Sequence, residues 1–289
     1  MTAQAPPEQK HCVSRKKDSR ESSFDMFNRL RQAFEQRREA RALQRRAIPD
    51  AIWQLTLRRF PFLRFRPDAD LIALRRMCSL FLDSKEFHGV DGFELRNDIV
   101  VAVAAQACLP VLKLGLSPSY DSFVGIVMHA NTVVAPREIV DAFGVVHTYE
   151  ETLAGEAVGG GPVMLSWSDI YDVEGVGGPA YNVVIHEFAH VLDMRDGEAD
   201  GVPMLPGLQA QQHWLAILEP EFERFCRLVD KGMETAIDPY GCVGPEEFFA
   251  VASEAFFVTP WALKEQQPAM YRLLASYYLQ DPGEQVHRA

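Results

Sequence analysis

Residues 182–193 read NVVIHEFAHVLD and carry the pattern HExxH at 186–190. Side chains four residues apart share one face of an α-helix, so His186 and His190 can offer imidazole nitrogens to a single metal ion at about 2.0–2.1 Å. Glu187 lies one step round the helix, beside the ion's open position, where it can take a proton from water without being a ligand. The flanks sharpen this reading. From Val183 to Leu192 every position outside the motif is uncharged and most are apolar, which leaves two histidines and a glutamate as the polar groups of a buried helix. Leaving such groups buried and unpartnered is expensive, and a divalent cation removes that cost.

A catalytic zinc site keeps three protein ligands and one open position, so a third ligand is required. Asp196, six residues past His190, stands where HExxHxxGxxH sites place their last ligand, but Asp193 occupies the position of the glycine that permits the turn. The other source is a following helix. The stretch PEEFFAVASE at 245–254 supplies Glu246, Glu247 and Glu254. Pro245 suits a first helical turn, where Glu246 and Glu247 could equally be charges that complement the helix dipole.

Periodicity assigns the surrounding chain. Leu71, Leu74, Met77, Leu80 and Phe81 recur at helical spacing and predict a helix over Asp68–Phe87, and the apolar run at 96–109 predicts a buried helix ended by Pro110. From Ser122 to Val158 the β-branched runs SFVGIVMH, NTVVAP and FGVVHTY read as strands of a small mixed sheet, with one more strand at Pro162–Trp167. Helical spacing returns at Tyr181–Leu192, Leu208–Val229, Glu246–Phe257 and Met270–Leu279. Helices, strands, then helices make an α+β fold rather than alternating βα units.

The chain has 289 residues and a net charge of −11, unevenly spread. Residues 1–46 hold 12 Lys/Arg against 6 Asp/Glu, and the remainder 17 against 34. We therefore expect a basic extension, disordered over 1–22 and helical from Ser23 to Arg46, ahead of one acidic domain over 47–289. An acidic body argues against nucleic acid as a partner. No apolar run approaches the roughly 20 residues of a membrane helix, and the N-terminus lacks the apolar segment of a secretory signal, so a cytoplasmic location is expected. The five cysteines are scattered without CxxC spacing, which argues against a disulfide framework or a cysteine-built metal site. His11, His88, His129, His147, His213 and His287 show no ligand spacing and read as structural.

Several fragments in order carry a family resemblance: FEL (93–95), CLPVLKLGL (108–116), GPVMLSWSDI (161–170), VVIHEFAHVLD (183–193), GVP (201–203), DPYGCVGPEEFFAVASEAFF (238–257) and YYLQDP (277–282). The chain resembles the Mlc titration factor family of bacterial zinc peptidases, and the segment at 238–257 is similar to the catalytic domain of anthrax lethal factor. The resemblance implies a zincin-like fold, one zinc ion per chain and aminopeptidase-like hydrolysis of short peptides. It also implies an alternative role, sequestering a glucose-responsive repressor of the Mlc type. In lethal factor a tyrosine precedes the glutamate ligand by seven residues; carried over, this makes Glu247 the third metal ligand beside His186 and His190. Tyr240 becomes the phenol facing the metal, with Glu187 as general base. Where those relatives have a second glutamate four residues on, this chain has Val251, so any supporting role falls to Glu254, to Asp193 or to no residue. The strand at Pro162–Trp167 resembles the edge strand on which such enzymes lay an extended substrate.

Overall fold

Helices at both ends of the chain flank a run of short strands, following the change in apolar periodicity. The computed structural model describes residues 34–140, 146–171 and 180–285. The chain divides into two units, Met1–Arg45 and Arg46–Ala289. In the first, residues 34–45 are helical; the expected disorder over 1–22 and the helix start at Ser23 lie outside the described residues.

The second unit opens with α1 (Asp50–Arg59), α2 (Asp68–Ser84), β1 (Glu86–Gly89) and α3 (Asn97–Cys108). The strands β2 (Gly125–His129), β3 (Val133–Val140), β4 (Val146–Leu153), β5 (Gly155–Ala157) and β6 (Val163–Ser166) follow. A short α4 (Trp167–Tyr171) precedes α5 (Val183–Asp193), and α6 (Leu208–Asp230), α7 (Pro245–Val258), α8 (Pro260–Gln266) and α9 (Pro268–Tyr278) follow, ahead of a last helical turn at Pro282–Gln285. Strands β1, β2 and β6 are parallel, and β5 runs antiparallel to β6, giving a four-stranded mixed sheet in the order β1-β2-β6-β5. Strands β3 and β4, expected in that same sheet, instead form a separate two-stranded antiparallel sheet, with Val133 opposite Leu153 and Val140 opposite Val146. The result is the expected α+β fold with a small mixed sheet. No described helix is long and apolar enough to cross a membrane.

Two further expectations are corrected. The helix predicted to run to Phe87 stops at Ser84, because Lys85 turns extended and its Nζ donates to the carbonyls of Tyr120 and Phe123. The Glu86 amide then bonds the Val124 carbonyl and starts β1 beside β2. The strand expected at Pro162–Trp167 is not an edge: β6 is paired on both sides, and the edge beside the HExxH helix is β5. A strand of three residues carries too little alternation to be seen in sequence.

The apolar face of α5 explains where that helix sits. Phe188 is fully buried, with its ring 5.8 Å from Phe81 of α2, 5.0 Å from Tyr120 and 5.8 Å from Phe123. The pairs with Tyr120 and Phe123 are edge-to-face, and each such pair contributes about 0.5–1.5 kcal/mol beyond the area it buries. At its N-terminus Asn182 caps the helix by accepting from the Ile185 amide at 2.9 Å. Buried Gln106 of α3 orients that cap, accepting from Asn182 Nδ2 at 2.7 Å while its own Nε2 donates to the Ala102 carbonyl. Among the described residues Cys78, Cys108, Cys226 and Cys242 are free thiols; Cys12 lies outside the described residues.

Candidate metal centre

Helix α5 presents His186 and His190 one turn apart, and α7 brings Glu247 against them. The imidazole Nε2 atoms are 3.2 Å apart, and Glu247 Oε2 lies 3.1 Å from His186 Nε2 and 3.4 Å from His190 Nε2. Among the described residues these three form the group whose ligand atoms converge as a metal requires. A tetrahedral ion held at about 2.0–2.1 Å has ligands separated by about 3.3–3.4 Å, so the triangle has the size of one face of such a coordination shell. Glu247 Oε2 is buried without an aligned hydrogen bond, and the Nε2 atoms of both imidazoles crowd against it at 3.1 and 3.4 Å. The residues present fit a divalent cation.

The direction of the first imidazole is set from behind. His186 Nδ1 donates to Glu254 Oε1 at 2.8 Å, which leaves the Nε2 lone pair turned to the triangle. Glu254 also accepts the backbone amide of Asn182, tying α7 to the capped end of α5. Of the two acids left as supporting candidates, Glu254 is thus the one that holds a histidine. Asp193 accepts the Gly201 amide at 2.8 Å instead. Asp196 is exposed in the short turn Met194–Asp196 and does not join the triangle. Glu246, half-buried, folds its carboxylate back over Gly244.

Electrostatics separate the two central glutamates. Burial works to raise the Glu247 carboxyl, but the adjacent histidines overcome it and hold the group at about 2, an anion suited to ligation. Burial pushes Glu187 up, and His186 and His190 only partly pull it back. A raised carboxyl is the direction a group needs if it is to accept a proton and give it up again. Glu187 is 5% exposed and packs against β5 so closely that a Cβ on Gly155 would sit 2.6 Å from its Cγ and Oε1. The Ala157 amide of the same strand reaches its carboxylate. Neither β5 residue was anticipated, although a glycine in a strand is a standing signal of close approach.

Tyr240 stands in a 3-10 turn, Pro239–Cys242, whose start is capped by Asp238 accepting the Tyr240 amide. Its ring is 48% exposed and centred 6.2 Å from that of His186. Together Gly155, Ala157, Glu187, the triangle and Tyr240 line a cavity of about 260 Å³ that also takes in Glu156 and Glu246.

Comparison with known proteins places this geometry. A family model described as glucose-regulated metallo-peptidase M90 matches residues 34–279. The chain belongs to this family. Among M90-like relatives, an uncharacterized protein of Synechocystis sp. is 35% identical over 249 residues, covering 85% of this chain and 89% of the relative. Mlc titration factor A of Escherichia coli O1:K1 is 33% identical over 240 residues, 82% of this chain and 89% of its own. The protein of that name from Salmonella gallinarum is 34% identical over 227 residues, 78% and 83% respectively. The M90 match spans both helices that form the triangle, so the resemblance drawn from the ordered fragments holds at the level of family.

Proposed function

We propose that this chain is a zinc-dependent, zincin-like peptidase that hydrolyses short peptides from the amino end. The observation that carries the proposal is the triangle of His186 Nε2, His190 Nε2 and Glu247 Oε2, each edge between 3.1 and 3.4 Å, inside a member of a metallopeptidase family. Two nitrogens and one carboxylate oxygen are a donor set that suits zinc and leaves one position open. When bound, the ion supplies Lewis acidity, acidifying water towards a pKa of about 7 and polarising a carbonyl.

The remaining roles belong to side chains of this protein. Glu187 accepts the proton that the attacking water gives up and hands it to the departing amine. Tyr240, at the cavity rim, donates its phenol hydrogen to the carbonyl oxygen as negative charge builds there. Among the described strands β5 pairs with β6 alone, and its other edge can pair with an extended peptide main chain, giving affinity with modest side-chain selectivity. The cavity lining includes Glu156 and Glu246 besides the triangle, and such acidic side chains can receive a substrate's amino group. This favours an aminopeptidase-like action.

The test is metal content by elemental analysis, paired with turnover of a panel of amino-acid amides before and after chelation. One zinc per chain and chelator-sensitive hydrolysis are expected. Glu187→Gln should keep the zinc and lose about 10²–10⁴-fold in turnover; undiminished hydrolysis by that variant defeats the proposal.

A second reading rests on the relatives named Mlc titration factor A: this chain captures a transcriptional repressor of the Mlc type. Capture by both wild type and Glu187→Gln in a pull-down would make binding independent of catalysis, and capture by neither would remove this reading.

A further inference from the structure

The helices that carry the triangle are joined near its Glu247 side by a strut that touches no ligand. Asp193, the last residue of α5 and fully buried, accepts the Gly201 amide at 2.8 Å. Trp214 of α6, 2% exposed, donates its Nε1 hydrogen to the Gly201 carbonyl at 2.8 Å. Gly201 is therefore gripped on both backbone groups. It has a φ of +80°, which favours glycine, and its Cα faces the first peptide of α7. A Cβ built there would lie 2.5 Å from the Pro245 carbonyl oxygen and 3.2 Å from the Glu246 nitrogen. Glu247 is the next residue along.

We propose that Asp193, Gly201 and Trp214 are positioning residues that set where α7 begins, and thereby the distance of Glu247 from the two imidazoles. The assignment rests on the metal-site reading above. Its physical basis is a pair of ties between the same two helices. At one end Glu254 of α7 holds His186 and the Asn182 amide of α5. At the other, Asp193 holds Gly201, and Gly201 abuts the start of α7. Phe248 packs the first turn of α7 on Phe222 and Phe225 of α6, but apolar packing lets a helix end slide by the few tenths of an ångström that open or close the triangle, and the Gly201 abutment fixes that position. Buried, oriented donors and acceptors behind a metal shell tune affinity in this way.

The experiment measures zinc affinity by chelator competition, and the visible spectrum of the cobalt-loaded protein, for wild type and four variants. The melting temperature of each metal-free protein is recorded alongside. Gly201→Ala and Asp193→Ala are expected to weaken zinc binding by about 10–100-fold and to shift the cobalt bands. Trp214→Phe, which keeps the ring and removes the donor, should move both readouts the same way by less. Asp193→Asn retains an oxygen for the Gly201 amide and should recover most of the affinity. Folded Asp193→Ala and Trp214→Phe proteins with wild-type affinity and an unchanged cobalt spectrum would overturn the assignment, as would an Asp193→Asn protein no better than Asp193→Ala. Should Gly201→Ala not fold, the other three variants decide. Wild-type protein that takes up no zinc would instead count against the metal-site reading itself.

Discussion

An imidazole can face a metal with either nitrogen, and for His186 the choice is made by Glu254. Its carboxylate accepts the Nδ1 hydrogen at 2.8 Å and commits Nε2 to the triangle. Removing it frees the ring to turn and leaves a buried N–H without an acceptor. Glu254→Ala should therefore weaken zinc binding by about 10–100-fold, whereas Glu254→Gln, which keeps an acceptor oxygen, should lose less. Chelator competition on the two variants checks the order; equal affinities would show that the hydrogen bond does not orient the ring. At this scale the HExxH residues were legible because their spacing is local. Glu254 could be named from sequence as one of two supporting acids, but its partner lies on another helix, and only packing selects it over Asp193.

Strand β5 shows how an element can be short and still shape the site. Its Gly155 leaves the space that Glu187 fills, and its Ala157 amide meets the same carboxylate. In Gly155→Ala the new methyl, 2.6 Å from Glu187 Cγ, must displace the glutamate from β5. We expect turnover to fall by about 10²-fold, the cost of an ångström-scale misplacement, while zinc content stays at the wild-type level. Kinetics with elemental analysis tests both halves, and lost zinc would mean that the strand supports the ligands rather than the base. The longer helices were legible to within a few residues, since their apolar faces repeat over several turns. The end of α2 and the identity of the edge strand were not, because both depend on partners distant in sequence: the Tyr120 and Phe123 carbonyls for Lys85, and β6 for β5.

At the scale of the whole molecule, Lys85 links stability to pH. Its ammonium bonds the loop whose Tyr120 and Phe123 rings pack on Phe188, the back of the metal helix. Burial pushes the group down from 10.5 to about 8. Between those two values the unfolded chain holds more protons on this lysine than the folded protein does, so unfolding free energy rises with pH across the window. Denaturant midpoints of wild type minus those of Lys85→Met should climb from pH 8 to about 10.5; a flat difference would show that the two carbonyls hold the folded-state lysine at its ordinary value.

By itself, the order of residues determined that this protein is α+β, that a buried helix carries two histidines and a glutamate on the spacing a metal needs, and that an acid must join them. These are matters of periodicity and of the cost of burying polar groups, and both are written into short stretches of chain. Four carboxylates, Asp196, Glu246, Glu247 and Glu254, are chemically alike until the helices pack; family resemblance pointed to Glu247, and the fold alone set it 3.1 Å from His186 Nε2, with Glu254 behind the ring and Asp196 exposed. A helix brings residues of one turn together on its own, whereas the separation between two helices is fixed by everything packed around them.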